Sequence, residues 1–149
     1  MTEVLFYHLE HHPLERALPA LVERTLARGW RAVIQAGSEE RVDALDTLLW
    51  TYTDDSFLPH GTKHDGHAAE QPVYLTSDEA NPNGATVRFL VDGAETGTHD
   101  GYERLVYMFD GRDSSAVEQA RAQWKAAKAA GCDVTYWQQS PEGRWEKRG

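Results

Sequence analysis

Val4-Leu5-Phe6-Tyr7, then Pro13 to Arg28, then Trp30-Arg31-Ala32-Val33-Ile34-Gln35 decide the fold of this chain. The outer two runs are short and rich in β-branched and aromatic residues, and read as strands. Between them Leu14, Leu18, Leu21, Val22 and Leu26 recur at helical spacing. Pro13 suits the first helical turn, with His12 or Glu10 just before it, and Gly29 suits the C-terminal stop. Pro19 inside this span predicts a kink or a later helix start.

The same alternation continues along the chain. Ser38-Glu39-Glu40-Arg41 reads as an N-cap with acids in the first turn, and Val42, Leu45, Leu48 and Leu49 supply that helix's apolar stripe. Pro72 to Thr76 and Thr86 to Val91 are strand candidates around the turn Asn81-Pro82-Asn83-Gly84. Ala94 to Gly101 is a turn-rich connection. Leu105 to Phe109 is a further strand, ended by Asp110-Gly111. Ser114 or Asp113 caps a helix reaching Ala130, with Gly131 as its stop, and Val134 to Trp137 is the last strand. Strands alternating with helices predict a single three-layer α/β domain over residues 1–139. Its sheet is mainly parallel with helices on both faces, Rossmann-like but without a nucleotide-binding loop. The strands flanking Asn83-Gly84 are candidates for an antiparallel pair. The polar residues 140–149 are expected to fray.

The 149 residues are near the modal size of one domain. No apolar run approaches the roughly 20 residues of a bilayer span, and the start of the chain lacks a basic region followed by a long apolar stretch. A single cysteine, Cys132, excludes an internal disulfide framework and points to a reducing, cytoplasmic setting; at a strand start it reads as a small buried residue. The formal charge is −9, which repels nucleic acid phosphate over the molecule as a whole. It is unevenly spread: residues 1–60, 61–110 and 111–149 carry −5, −6 and +2. An anionic partner is therefore expected in the last quarter.

Phosphate-binding fingerprints and the nucleophile-elbow motif are absent. The loop Asp92-Gly93-Ala94-Glu95-Thr96-Gly97 is acidic, wrong for cradling phosphate. A binding module without cofactor or catalytic residues is expected rather than an enzyme. Against this stands His60-Gly61-Thr62-Lys63-His64-Asp65-Gly66-His67. Its histidines and Asp65 are potential ligands of a metal-dependent enzyme, but the spacing fits no zinc motif, and a solvated His-rich loop is the simpler reading. His8, His11 and His12 form a looser group flanking the first strand-to-helix turn.

Two surfaces draw notice as contact sites. The first is Leu45 to His60, where Trp50, Phe57 and Leu58 mix with Asp54, Asp55 and Pro59. Aromatic anchors in a polar surround suit an interface, the alternative being aromatics that fold back onto their own domain. The second is the last helix. At about 100° per residue, Val117, Arg121, Trp124, Lys125 and Lys128 share one arc, with Ala116, Ala120, Gln123, Ala127 and Ala130 opposite. The alanine side is expected to pack on the sheet, leaving the cations and Trp124 outward. Such a patch suits a short acidic peptide with an apolar carboxy-terminal end, Arg clamping a carboxylate and Lys adding point charge. The same aromatic and basic region is also open to reading as a direct single-stranded nucleic acid binder.

Leu45-Asp46-x-x-Leu49-Trp50 followed by Ser56-Phe57-Leu58-Pro59-His60 resembles the signature of the chi subunit of bacterial DNA polymerase III holoenzyme. The Phe6-Tyr7 strand, the helix with Arg121 and Lys125, and Ala130-Gly131 before a Trp-bearing last strand are similar to that family as well. The resemblance implies an α/β fold without catalysis and a clamp-loader accessory that binds the acidic C-terminal tail of single-stranded-DNA-binding protein, touching DNA only indirectly. It implies a tail site at Arg121, Trp124, Lys125 and Lys128. A family position that is basic one turn earlier is Val117 here, which leaves Arg112 to compensate. Trp50, Phe57, Pro59 and His60 match the family's surface for the psi subunit or a helicase-like partner.

Overall fold

A computed structural model describes residues 2–51, 59–96, 101–142 and 144–148. Among the described residues seven strands and three α-helices follow in the order β1 Glu3–Leu9, α1 Leu14–Ala27, β2 Ala32–Gln35, α2 Glu39–Thr51, β3 Val73–Thr76, β4 Val87–Leu90, β5 Arg104–Asp110, α3 Ser114–Ala129, β6 Asp133–Gln139 and β7 Trp145–Lys147. They form one sheet in the order β3-β2-β4-β5-β1-β6-β7. Each neighbouring pair is parallel except β6 with β7. The expected three-layer α/β architecture is present.

Local chemistry accounts for the helix limits. Gly29 takes φ +80 and ends α1, so that its N–H and that of Trp30 return to the carbonyls of Leu26 at 2.9 Å and Thr25 at 3.3 Å. Pro19 neither starts nor ends α1; it is buried within it. The missing N–H leaves the turn without one hydrogen bond, and burial against the sheet offsets that loss. Ser38 Oγ accepts from Arg41 N at 3.2 Å, and Asp113 accepts from the amides of Ser115 and Ala116 at 3.0 and 3.3 Å. Asp113, rather than Ser114, is thus the cap of α3.

Strand alternation divides the core. Leu5, Leu9, Ile34, Phe89 and Val106 face α1 and α2, where Leu18, Leu21, Val22, Leu45 and Leu49 cover them. Val4, Phe6, Leu105, Tyr107 and Val134 face the other way, toward Ala120 and Ala127 of α3.

Two expectations are corrected. The strands around Asn83-Gly84 do not pair with each other; β3 and β4 lie on either side of β2, each parallel to it. The turn between them ends in a crossover, not a hairpin. Among the described residues the tail is not all loose: Trp145–Lys147 adds antiparallel to the edge of β6, and Trp145 packs edge-on against Tyr7 at 4.8 Å. An apolar anchor at the start of a polar strand supplies what the surrounding composition lacks.

Arg88 is fully buried on β4. Its guanidinium donates to Gln35 Oε1 at 2.9 and 2.7 Å, to the carbonyls of Ala80 at 3.0 Å and Asp78 at 2.5 Å, and to the Tyr102 hydroxyl at 3.2 Å. These bonds tie β4 to β2 and to the loop after β3, so Arg88 organises one end of the sheet with no carboxylate hydrogen-bonded to it among the described residues.

Candidate binding site

The residues expected to share an arc on α3 do converge, but over a hollow rather than a flat face. Val117, Ala120, Arg121, Trp124 and Lys125 form one wall of a cavity of about 410 Å³. The even-numbered positions of β1 and β6 supply Phe6, His8 and Tyr136, β5 supplies Phe109, and Arg148 enters from the end of β7.

The floor is aromatic. Trp124 is not left in water: it is half-buried, tilted against Phe6 at 5.5 Å and edge-on to Tyr136 at 6.0 Å. The packing face of α3 therefore differs from the expected alanine-rich side. Ala120 and Ala127 are buried as expected, whereas Ala130 is exposed and Trp124 and Val117 are part of the packed edge. An indole buries far more apolar area than a methyl, which turns the helix toward the sheet on that side.

The rim is cationic. Arg121 and Lys125 are exposed and make no ion pair among the described residues, although both line the hollow. Arg148 is held there by its backbone N–H to the Tyr136 carbonyl at 2.7 Å and by Glu146 at 3.1 Å. Lys128 lies outside the hollow, its ammonium 5.3 Å from the Trp124 ring centroid. Arg112, the residue expected to compensate for Val117, does not line the hollow; it pairs with Asp110 at 3.2 Å. Arg148, which the sequence reading did not single out, is the third cation lining the hollow. No local signal marks it, since only the β6–β7 pairing brings it there.

His8 closes the deep end. Its Nδ1 shares a hydrogen bond with the Tyr136 hydroxyl, and Nε2 lies 3.2 Å from Glu10 Oε1. The ring packs against Gly111, where any Cβ would strike it. Burial holds the His8 pKa below its ordinary 6.5, while Glu10 and Asp110 act in the raising direction. The unfolded chain therefore takes up the proton first, and stability falls as pH drops below about 6.5 toward the folded value. The pH dependence of the urea midpoint in that window is expected to flatten in His8→Leu. Burial also raises the Tyr136 phenol, which Arg121 opposes, so the guanidinium acts on the hydroxyl at the floor.

The second surface is partly described. Trp50 is 52% exposed at the end of α2 and is the exposed large apolar residue among the described ones. Pro59 is exposed, and Phe57 lies outside the described residues. His60 is buried beneath Trp50, with ring centroids 4.6 Å apart and Nε2 3.0 Å from Asp46 Oδ1. It supports the indole rather than presenting an open face.

The other histidines scatter. His64 is exposed, His67 is exposed and lies 3.5 Å from Glu70, and Asp65 accepts from the amide and hydroxyl of Thr62 at 2.8 and 3.2 Å. Among the described residues no group of three His, Cys, Asp or Glu side chains converges as a metal site would require. Tyr136 and Trp137, adjacent on β6, point to opposite faces of the sheet, so the aromatic and basic C-terminal region is divided between two sides. No helix among the described residues is long and apolar enough to cross a membrane.

Comparison with known proteins identifies the family of the chain. The model of a family described as DNA polymerase III chi subunit, HolC, matches residues 1–135. A relative from Rickettsia prowazekii (strain Madrid E), named probable DNA polymerase III subunit chi, is 32% identical over 91 residues. That match covers 61% of this chain and 55% of the relative, so the chain spans about half of the relative's length. Residues 136–149, which contribute Tyr136 and Arg148 to the hollow, lie beyond the family match.

Proposed function

Because the chain belongs to the family of DNA polymerase III chi subunits, we propose that it is a non-catalytic accessory subunit of that polymerase, linking the clamp-loader assembly to single-stranded-DNA-binding protein through that protein's acidic C-terminal tail. The observation that carries this reading is the α3 hollow. A molecule of net charge −9 sets Arg121 and Lys125, unneutralised by its own acids among the described residues, over a floor of Phe6, Trp124 and Tyr136. A peptide ending in acidic residues, proline and phenylalanine fits those two demands together. The aromatic ring fills the floor, while the terminal carboxylate and acidic side chains meet the rim. Lys128 extends the positive field along α3, and Arg148 closes it from the sheet edge.

Trp50 and Pro59, with Phe57, form the proposed second contact, toward a psi subunit or a helicase-like partner. His60 fixes the indole from below. The two surfaces rest on different helices, α2 and α3, so one subunit can hold both partners.

Capture of intact single-stranded-DNA-binding protein, and loss of capture when its last few residues are removed, is the decisive measurement. Binding is expected to weaken as salt is raised, because exposed charges contribute. Trp50→Ala is expected to leave tail binding unchanged and to impair capture of the second partner. Equal capture of intact and tail-less protein would overturn the tail assignment.

A further inference from the structure

The face of the sheet that carries α1 and α2 is covered unevenly. α1 packs on β2, β5 and α2, and α2 packs on β3, whereas the helix packed on β6 is α3, on the other face. Over β2, β4 and β5 the side chains turned toward α1 and α2 are sealed: Ile34, Phe89 and Val106 are 4% exposed or less. Over β1, β6 and β7 the side chains of the same face, Tyr7, Trp137 and Trp145, are only half-buried. A concavity of about 540 Å³ opens here, between the C-terminal half of α1 and the odd-numbered positions of β1 and β6.

This stretch is aromatic and continuous. Tyr7 stacks on Trp137 with ring centroids 6.3 Å apart and meets Trp145 edge-on at 4.8 Å. β1, β6 and β7 are successive in the sheet, and with neighbouring strands about 4.8 Å apart the three span about 10 Å. An α-helix with its side chains is about 10–12 Å across. The stretch therefore has the width of one helix lying beside α1 in the same layer. A sheet buries its apolar face under such a layer, and the described residues supply no helix at this place.

Cations border it on both sides. Arg24 and Arg28 of α1, Arg104 of β5 and Lys147 of β7 line the concavity. Glu3 is the acid in the lining, and Arg104 engages it at 2.8 Å. Arg24, Arg28 and Lys147 are exposed and make no ion pair among the described residues. A molecule of net charge −9 thus keeps three unneutralised cations around a half-covered aromatic surface.

We propose that this face docks an acidic amphipathic helix of a partner protein, its apolar stripe on Tyr7, Trp137 and Trp145 and its carboxylates beside Arg24, Arg28 and Lys147. A helix laid in a groove offers apolar anchors at i, i+3, i+4 and i+7. Carboxylates flanking that stripe reach α1 on one side and β7 on the other. A nucleic acid strand carries charge at every residue into the field of an acidic protein, whereas a helix brings only the carboxylates that meet cations. A small anion leaves the aromatic stretch uncovered. The surface lies across the sheet from the α3 hollow, and its assignment does not depend on the tail site.

The test follows the indole N–H resonances of Trp124, Trp137 and Trp145 in the full chain, assigned through Trp124→Phe, Trp137→Phe and Trp145→Phe. The titrant is a helix-forming peptide of about 15 residues, built of Leu, Glu and Ala, with a leucine stripe flanked by glutamates. A peptide of the same composition with its leucines spread around the helix, a counterpart with lysine in place of glutamate, and an oligothymidylate are the comparisons. At low salt the acidic amphipathic peptide is expected to shift Trp137 and Trp145 and leave Trp124 in place, with a midpoint on the order of 0.1–1 mM. Arg24→Glu and Lys147→Glu, both exposed substitutions, are expected together to raise that midpoint by about tenfold, and Arg121→Ala to leave it unchanged. No shift, movement of Trp124 alone, an equal response to the spread-leucine or lysine peptide, a stronger response to the oligothymidylate, or an unchanged midpoint in the double variant overturns the proposal.

Discussion

Arg121→Ala is expected to lower affinity for an acidic C-terminal peptide by about ten- to a hundredfold, with the unfolding transition unchanged. A charge-assisted hydrogen bond to a carboxylate contributes about 1.5–3 kcal/mol, and each 1.4 kcal/mol is a factor of ten. The guanidinium is exposed and makes no ion pair among the described residues, so its removal leaves no buried charge behind. Arg121→Glu is expected to fall further, since the new carboxylate repels the ligand. Fluorescence anisotropy of a labelled peptide ending in Asp-Asp-x-Pro-Phe measures both. Arg148→Ala serves as the internal comparison, with a smaller loss because Glu146 already engages that side chain at 3.1 Å. Unchanged affinity in Arg121→Ala removes the α3 hollow from consideration as the tail site.

The second large effect concerns stability. Arg88→Leu is expected to lower the unfolding free energy by about 3–5 kcal/mol, a large share of the roughly 5–15 kcal/mol typical of a domain. The apolar replacement recovers some packing. It leaves the buried Gln35 amide oxygen without its donor, at about 1–3 kcal/mol, and removes the bonds to the carbonyls of Ala80 and Asp78, which belong to exposed residues and turn to water at lower cost. Urea denaturation followed by circular dichroism reads the change as a lowered midpoint. Arg88→Lys, which keeps the charge but not the planar fork, is expected to recover only part of it. A loss under about 1 kcal/mol in Arg88→Leu shows that the network contributes little to folding.

Most of the architecture was legible in the chain because its elements are locally consistent. The α1 stripe, the Gly29 and Gly131 stops and the Asp113 cap each act through residues within one or two turns of one another. What was not legible is set across the sheet. A single arginine between apolar neighbours in β4 looks like ordinary alternation, and only the approach of Gln35 and the loop after β3 makes it a buried hub. The pairing of β3 and β4 was misread because a tight turn signal says where the chain reverses and not which strand lies between. The edge strand β7 has no hydrophobic pattern of its own and takes its register from β6.

The candidate site divides in the same way. Helical periodicity was enough to place Arg121, Trp124 and Lys125 together, since their relation is internal to α3. It was not enough to show that Trp124 turns inward or that Lys128 stands clear of the cavity, because those depend on Phe6 and Tyr136. His60 read as a contact residue from its neighbours in sequence, yet Asp46, fourteen positions earlier, draws it beneath the surface.

The final strand also ties the two faces of the molecule to one another. Lys147 and Arg148 are consecutive, and the pleat sends them to opposite sides, one to each hollow. A protease that clips the chain ahead of Trp145 would remove one cation from each face of the sheet in a single cut. Conversely, any ligand that clamps the strand from one side steadies the charge offered on the other.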